Sequence, residues 1–352
     1  MASDAASDRL AELKAFDDTK AGVKGLVDAG VTAVPRIFHH PPDPHRHAAA
    51  ADGISIPVID LQQLAATRAE LVARVKAAAE AAGFFQVVNH GVPEASMSAM
   101  LAAVRRFNEA PAEARRPYYT RDAARRVRYS SNYDLFQAPA ASWRDTLFLE
   151  MAPDAPSPEE IPPPCRDIVF EYTSQVRSLC SVLLGLLSEA LGLRREYLER
   201  DAGCRDGLGV AAHYYPPCPE PHLTLGAAKH SDPTFLTVLL QDGVGGLQAL
   251  LGNGGERRWV DVPPGALVVN VGDFLEVMSN GRLKSVEHRV VATPAARVSV
   301  ACFFRLYGPA ASTRVYGPIV EGAETPRYRS FTAAEFLRSR LDGRPPLDRF
   351  RL

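Results

Sequence analysis

Cysteine is scarce in this 352-residue chain, and its placement excludes more than it suggests. Cys165, Cys180, Cys204, Cys218 and Cys302 are odd in number, widely scattered and free of any Cys-x-x-Cys pair, so neither a disulfide framework nor a structural zinc site is expected. Net charge is nearly absent too. With 40 Lys and Arg against 41 Asp and Glu, the formal charge is -1, and no global field would draw in nucleic acid or an anionic membrane. No apolar run approaches the length of a bilayer span. The opening Met-Ala-Ser-Asp lacks the basic end and apolar stretch of a secretory signal, and its early acids disfavour a transit peptide. These absences set the expectation of a cytoplasmic protein with no nucleic-acid or membrane partner; a monomer is expected, but oligomeric state is not written in the sequence.

What is present is an ordinary globular composition, 46% hydrophobic and 23% charged, sufficient for a large core. Leu10, Leu13, Phe16, Val23 and Leu26 recur about once per helical turn, which predicts a helix over 8–30 that stops at Gly30. Four histidines then fall between His39 and His47, but the interleaved prolines impose an extended connector that does not converge ligands. Ile56 to Leu61 reads as a strand, Arg68 to Ala82 as a helix, and Phe84 to Val88 as a second strand leading to His90, a lone histidine read as structural. Arg115 to Tyr133 interleaves six arginines with four tyrosines; it reads as a solvated helix leading into a strand around Val127, in preference to a nucleic-acid surface. An acid- and proline-rich linker over 151–164 precedes a long helix from Cys165 to Leu193.

Beyond Gly207 the pattern changes to short β-type runs separated by Gly, Pro and Asp, over 210–215, 234–240, 246–251, 266–271, 285–291 and 298–304. Regularly spaced strands with no helices between them predict a mainly β fold with flanking helices and a double-sheet, jelly-roll core. The expected organisation is an N-terminal helix and connector (1–55), an N-terminal region (56–165), a long helix and linker (166–206), the jelly-roll core (207–310) and a C-terminal extension (311–352).

The chemistry falls in that core. His230 and Asp232 are two apart on an extended segment and so share a face, while His288 lies between Val286 and Val290 on an otherwise apolar strand face, where an imidazole needs a partner. Two imidazoles and one carboxylate form the facial triad of oxygen-activating Fe(II), with further coordination positions open. Arg297 and Ser299 form a second i, i+2 pair. No acid on that strand supplies the anion a buried guanidinium requires, so a dicarboxylate is the economical partner. Ala301 and Phe303 continue the same face, which places Phe303 at the pocket mouth. Thr146 and Tyr129, on strands expected to cover the barrel, are further candidates for substrate contact.

With these residues in place, the sequence resembles the plant 2-oxoglutarate- and Fe(II)-dependent dioxygenases over nearly its whole length. Ile56-Pro-Val-Ile-Asp-Leu61, Gly83-Phe-Phe-Gln-Val-Val-Asn-His-Gly91, Tyr214-Tyr-Pro-Pro-Cys-Pro-Glu-Pro221, His230-x-Asp232, His288 and Arg297-x-Ser299 stand in family order. The stretch from Phe16 to Gly30 and Trp143-Arg-Asp-Thr-Leu147 resemble the subgroup of aminocyclopropane-carboxylate oxidase homologues, which includes grass benzoxazinoid-glucoside dioxygenases. The resemblance implies that Tyr215 joins Arg297 and Ser299 on the distal carboxylate of 2-oxoglutarate. It further implies that O₂ is consumed with release of succinate and CO₂, ascorbate serving as reductant. One position departs from the family. Where asparagine usually precedes the Tyr-Tyr pair, this chain has His213, which can donate a hydrogen bond, titrate, or add a fourth ligand.

Three rival readings remain at this point. An ascorbate-dependent oxidase of the same fold shares the Arg-x-Ser pair, a non-catalytic receptor would have lost a ligand, and a zinc hydrolase would need neither O₂ nor Arg297. The substrate itself, whether a benzoxazinoid glucoside, an indole derivative or a phenylpropanoid, is not written in these motifs.

Overall fold

The computed structural model describes residues 2–43, 54–62, 68–252, 257–306, 313–339 and 346–352. Its N-terminal half runs α1 (Ala2–Asp18), α2 (Gly22–Asp28), β1 (Val58–Asp60), α3 (Arg68–Ala81), β2 (Phe84–Val88), α4 (Glu94–Glu109), α5 (Ala112–Arg115), β3 (Val127–Ser131), β4 (Asp145–Ala152) and α6 (Arg166–Ala190). The C-terminal half adds β5 (Gly207–Tyr215), β6 (Leu225–His230), β7 (Leu236–Gln241), β8 (Leu247–Leu251), β9 (Arg258–Asp261), β10 (Leu267–Val271), α7 (Asp273–Met278), β11 (His288–Val291) and β12 (Arg297–Arg305).

The strands form an eight-stranded sheet, β1-β2-β10-β7-β12-β5-β4-β3, facing a four-stranded sheet, β6-β11-β8-β9. Four central strands of the first sheet and the four of the second make the expected jelly roll. Period-two alternation gives the large sheet two apolar tasks. One face packs Ala212, Tyr214, Val298, Val300 and Cys302 under α3, α4 and α6, whose Val75, Val104, Leu183 and Leu187 belong to the same core. Each such fully buried Leu or Val is worth about 1.5–3 kcal/mol. The other face turns into the barrel, where Phe84, Val268, Leu247, Ala249 and Val290 fill one end. The five cysteines are free and buried.

The N-terminal helix differs from the reading of 8–30 as one element. Lys20 (φ 54°) and Gly22 (φ 70°) are left-handed, so the chain breaks and restarts as α2. The break serves Asp145, a buried carboxylate that accepts hydrogen bonds from the backbone N–H of Val23 (2.8 Å) and Lys24 (2.7 Å) and from the Ser131 hydroxyl. Burial raises the Asp145 pKa above the ordinary carboxylate value, and these donors pull it only part of the way back. A Cβ on Gly22 would lie 2.5 Å from Asp145 Oδ1. Gly22→Ala is therefore expected to destabilise the protein by about 1–2 kcal/mol from left-handed backbone alone, with the carboxylate clash in addition. A lowered urea midpoint at unchanged slope checks this.

Two further expectations are corrected. The arginine–tyrosine stretch is not a solvated helix: α5 has four residues, and Arg115 is 1% exposed, donating to Asp28 Oδ2 (3.1 Å) and Tyr129 Oη (3.3 Å). The strand series also contains a helix, α7. The histidine-rich connector lies partly outside the described residues, but His39 and His40 bond the carbonyls of Val34 (2.8 Å) and Ala141 (3.1 Å), as structural residues do. His90 likewise accepts the N–H of Val92 through Nδ1 (3.1 Å).

Candidate active site

His230 closes β6 and His288 opens β11, and these two residues are direct partners in the antiparallel register. Their rings therefore face each other at 4.3 Å between centroids. Each imidazole has its Nδ1 against a carbonyl, Ala228 O at 2.7 Å for His230 and Val286 O at 3.2 Å for His288, which commits Nδ1 as donor and leaves the Nε2 lone pair inward. Asp232 follows β6 by two residues, and its Oδ1 lies 3.7 Å from His230 Nε2 and 3.6 Å from His288 Nε2. Those separations are too long for hydrogen bonds. The three donor atoms lie within 4.8 Å of one another.

The second carboxylate oxygen of Asp232 is held in place. Oδ2 accepts from Thr237 Oγ1 (2.6 Å) and Asn270 Nδ2 (2.9 Å), so Oδ1 alone remains for an ion. Desolvation works against the charge of Asp232, but His288, His230 and these two donors together lower its pKa. His230 moves down, through desolvation first and the neighbouring His288 second, and is held neutral as a ligand must be. Asp273 of α7 ties the two ligand-bearing loops together: its carboxylate accepts from Ser231 (3.0 Å) and Ser285 (2.6 Å), and its N–H donates to Asp232 O (2.8 Å). Two imidazoles and one carboxylate oxygen, oriented and otherwise unused, suit a ferrous ion.

Register explains the neighbouring polar row. On the barrel face Thr146 pairs with His213, His213 with Ser299, and Ser299 with Gln241, while Arg297 pairs with Tyr215. Arg297 is 1% exposed and donates from Nε to Gly245 O (2.5 Å), from Nη1 to Ser299 Oγ (3.0 Å) and from Nη2 to Gln241 Oε1 (3.0 Å). Its guanidinium lies over the Tyr215 ring at 4.7 Å. Gly245 (φ 83°) makes the turn that brings its carbonyl there. Among the described residues no carboxylate approaches Arg297, and two of its five N–H groups have no partner. This is the unsatisfied cation expected from the sequence.

The cavity joins these groups. Its wall contains the triad, Arg297, Ser299, Tyr215, His213, Ala301 and Phe303, so the alternation along β12 holds through Phe303. His213 stands apart from the metal-binding cluster. Its Nδ1 pairs with Thr146 Oγ1 (3.0 Å), and burial followed by the charges of Arg144 and Arg297 keeps it well below the usual imidazole pKa. Thr146 therefore touches the site through His213. Tyr129 must be corrected. It pairs with Leu147 on the opposite face of the sheet, fully buried against Phe107 at 5.2 Å and Tyr119 at 5.8 Å. A shift of one residue reverses a strand side chain.

Sequence reasoning missed Asn270, Thr237, Gln241 and Arg144. The first three are polar residues within apolar strands, a signal that a partner must exist but not which one. Arg144 shares a face with Thr146, two residues away. Asn270→Leu keeps the branched outline of the side chain and removes the Asp232 donor, so Fe(II) affinity is expected to fall by about 10- to 100-fold with the fold retained. Competition against a coloured chelator measures it.

Comparison with known proteins adds family information. The 2OG-Fe(II) oxygenase superfamily model matches residues 208–306, and the model of the non-haem dioxygenase in morphine synthesis N-terminal region matches 56–166. The chain is 50% identical to 1-aminocyclopropane-1-carboxylate oxidase homolog 1 of Arabidopsis thaliana, over 94% of this chain and 92% of that protein. It is 45% identical to deacetoxyvindoline 4-hydroxylase of Catharanthus roseus, over 97% and 89%. The crystal structure of JOX2 in complex with 2OG, Fe and JA superposes with a TM-score of 0.78 at 29% identity, covering 94% of this chain and 97% of that one. Among the described residues no helix is long and apolar enough to cross a membrane.

Proposed function

Because the chain belongs to the 2OG-Fe(II) oxygenase superfamily, and so is an oxidoreductase of the dioxygenase type that uses Fe(II) and 2-oxoglutarate, we propose that it hydroxylates a small plant specialised metabolite. A benzoxazinoid glucoside, an indole derivative and a phenylpropanoid are the candidate classes. One O₂ enters, one oxygen atom leaving in succinate and the other in the product, with CO₂ lost from the co-substrate. The bound metal supplies the electron and O₂ chemistry.

The protein's part is placement. His230, Asp232 and His288 hold the metal, with ascorbate as the reductant that keeps it ferrous. Arg297, Ser299 and Tyr215 take the distal carboxylate of 2-oxoglutarate, a bidentate fork over an aromatic face being well suited to that anion. His213, with Thr146 behind it, stands where it can donate to the co-substrate, and Phe303 offers an apolar surface to the substrate. The observation that carries the reading is the conjunction in one cavity of three oriented donors and a buried guanidinium with no carboxylate partner.

The deciding experiment is an anaerobic titration of the Fe(II) protein with 2-oxoglutarate, followed through the weak visible charge-transfer band of a chelated keto acid, then succinate measured after O₂ is admitted. A saturable band and O₂-dependent succinate are expected. Iron bound without a band, or turnover with ascorbate and no succinate, would move the protein to the ascorbate-dependent or receptor reading.

A further inference from the structure

Arg144 lines the same cavity, yet nothing in the reaction described so far uses it. Its Nε is buried without a hydrogen-bond partner. Among the described residues its guanidinium makes no side-chain hydrogen bond, and no carboxylate lies within ion-pair distance. Arg115, Arg289 and Arg297 each meet at least one side-chain acceptor, Asp28 for the first, Asp43 and Gln248 for the second, Gln241 and Ser299 for the third, whereas among the described residues no such acceptor meets Arg144. Arg144 is half-buried, and a guanidinium nitrogen withdrawn from water without an acceptor is costly, a cost recovered when a ligand brings one.

2-Oxoglutarate does not fill this role, because both of its carboxylates already have partners: the distal one at Arg297, the other beside the keto group at the metal. Charge gives the same answer. The cavity wall carries two guanidinium groups and one carboxylate, Asp232. Fe(II) and the 2-oxoglutarate dianion cancel each other, so the loaded pocket retains one positive charge, and it resides on Arg144.

We infer that Arg144 anchors a negatively charged group of the organic substrate, which is accordingly a monoanionic acid whose apolar body lies against Phe303, Leu239 and Ala301. The inference rests on the dioxygenase reading and narrows its substrate classes to indole or phenylpropanoid acids and comparably acidic aromatics. Position supports it. Arg144 stands two residues before Thr146, which pairs with His213, and it lines the same cavity wall as His213, His230 and Phe303.

The test uses the full-length Fe(II)·2-oxoglutarate protein without O₂ and a panel of arylalkanoic acids (phenylacetate, cinnamate, indole acetate and their chain-length homologues), each paired with its primary amide. Binding is read by calorimetry and by the perturbation of the visible band. At least one acid is expected to bind tenfold or more tightly than its amide. Arg144→Gln should abolish that preference while leaving 2-oxoglutarate saturation unchanged, and Arg144→Lys should keep part of it. Amides binding as well as acids, no acid binding at all, or an acid preference that survives Arg144→Gln would overturn the assignment. So would a loss of 2-oxoglutarate affinity in Arg144→Gln, which would give the residue to the co-substrate. Failure of wild-type protein to bind 2-oxoglutarate would instead count against the dioxygenase reading.

Discussion

An Asp232→Ala protein is expected to fold and to retain neither iron nor turnover. Asp232 Oδ1 is the only anionic donor of the triad, and the two imidazoles left behind can offer a ferrous ion lone pairs but no charge. Loss of a supporting hydrogen bond to a ligand already weakens metal sites by about 10- to 100-fold, and loss of the ligand itself should exceed that. Stability should change little. Thr237 and Asn270 lose their acceptor, a penalty of about 1–3 kcal/mol for an unsatisfied buried group, but a desolvated carboxylate disappears at the same time. Iron content after gel filtration, succinate release and a thermal melt separate the two effects. Iron retained with normal turnover would remove the metal assignment.

The second large effect is expected at Arg297. Truncation to alanine removes the two unused N–H groups proposed for the co-substrate and also orphans Gln241 Oε1 and the Gly245 carbonyl. A charge-assisted bond is worth about 1.5–3 kcal/mol, so the 2-oxoglutarate concentration for half-saturation should rise by about 10- to 150-fold. Arg297→Lys should recover only a fraction, because an ammonium reproduces the charge without the planar fork. Iron binding should be unaffected in both. An unchanged 2-oxoglutarate requirement in Arg297→Ala would place the anion elsewhere.

The triad and the Arg-x-Ser pair were legible because period-two spacing survives folding: a histidine between two valines, and an arginine and a serine on one strand face, have nowhere to go but inward. Tyr129 was misread for the same physical reason applied without a register. Nothing in Val127-Arg-Tyr-Ser-Ser-Asn-Tyr133 says which alternate set faces the barrel, since both faces of β3 are partly buried. The break after α1 was hidden because a left-handed Lys20 leaves no mark in composition. The helix α7 was hidden because six residues are too few for a helical period to emerge. Asn270 and Gln241 were visible as polar residues in apolar runs, but their partners lie 38 and 56 residues away, at Asp232 and Arg297, and only the sheet order brings them together.

The strand β4 and the residues just before it have a consequence for how this enzyme can diversify. Trp143 reaches outward to donate its indole N–H to Pro216 O (3.1 Å) and packs edge-on against Phe38, which packs in turn on Phe16. Asp145 fastens the start of α2, while Arg144 and Thr146, between and beside them, belong to the cavity side. A single ribbon is thus read on one side by the amino-terminal helices and on the other by whatever enters the barrel. The contacts that seat those helices and the side chains that wall the cavity alternate along the same few residues. Exchange of the first forty residues between relatives is then an alteration of the substrate wall, made from behind.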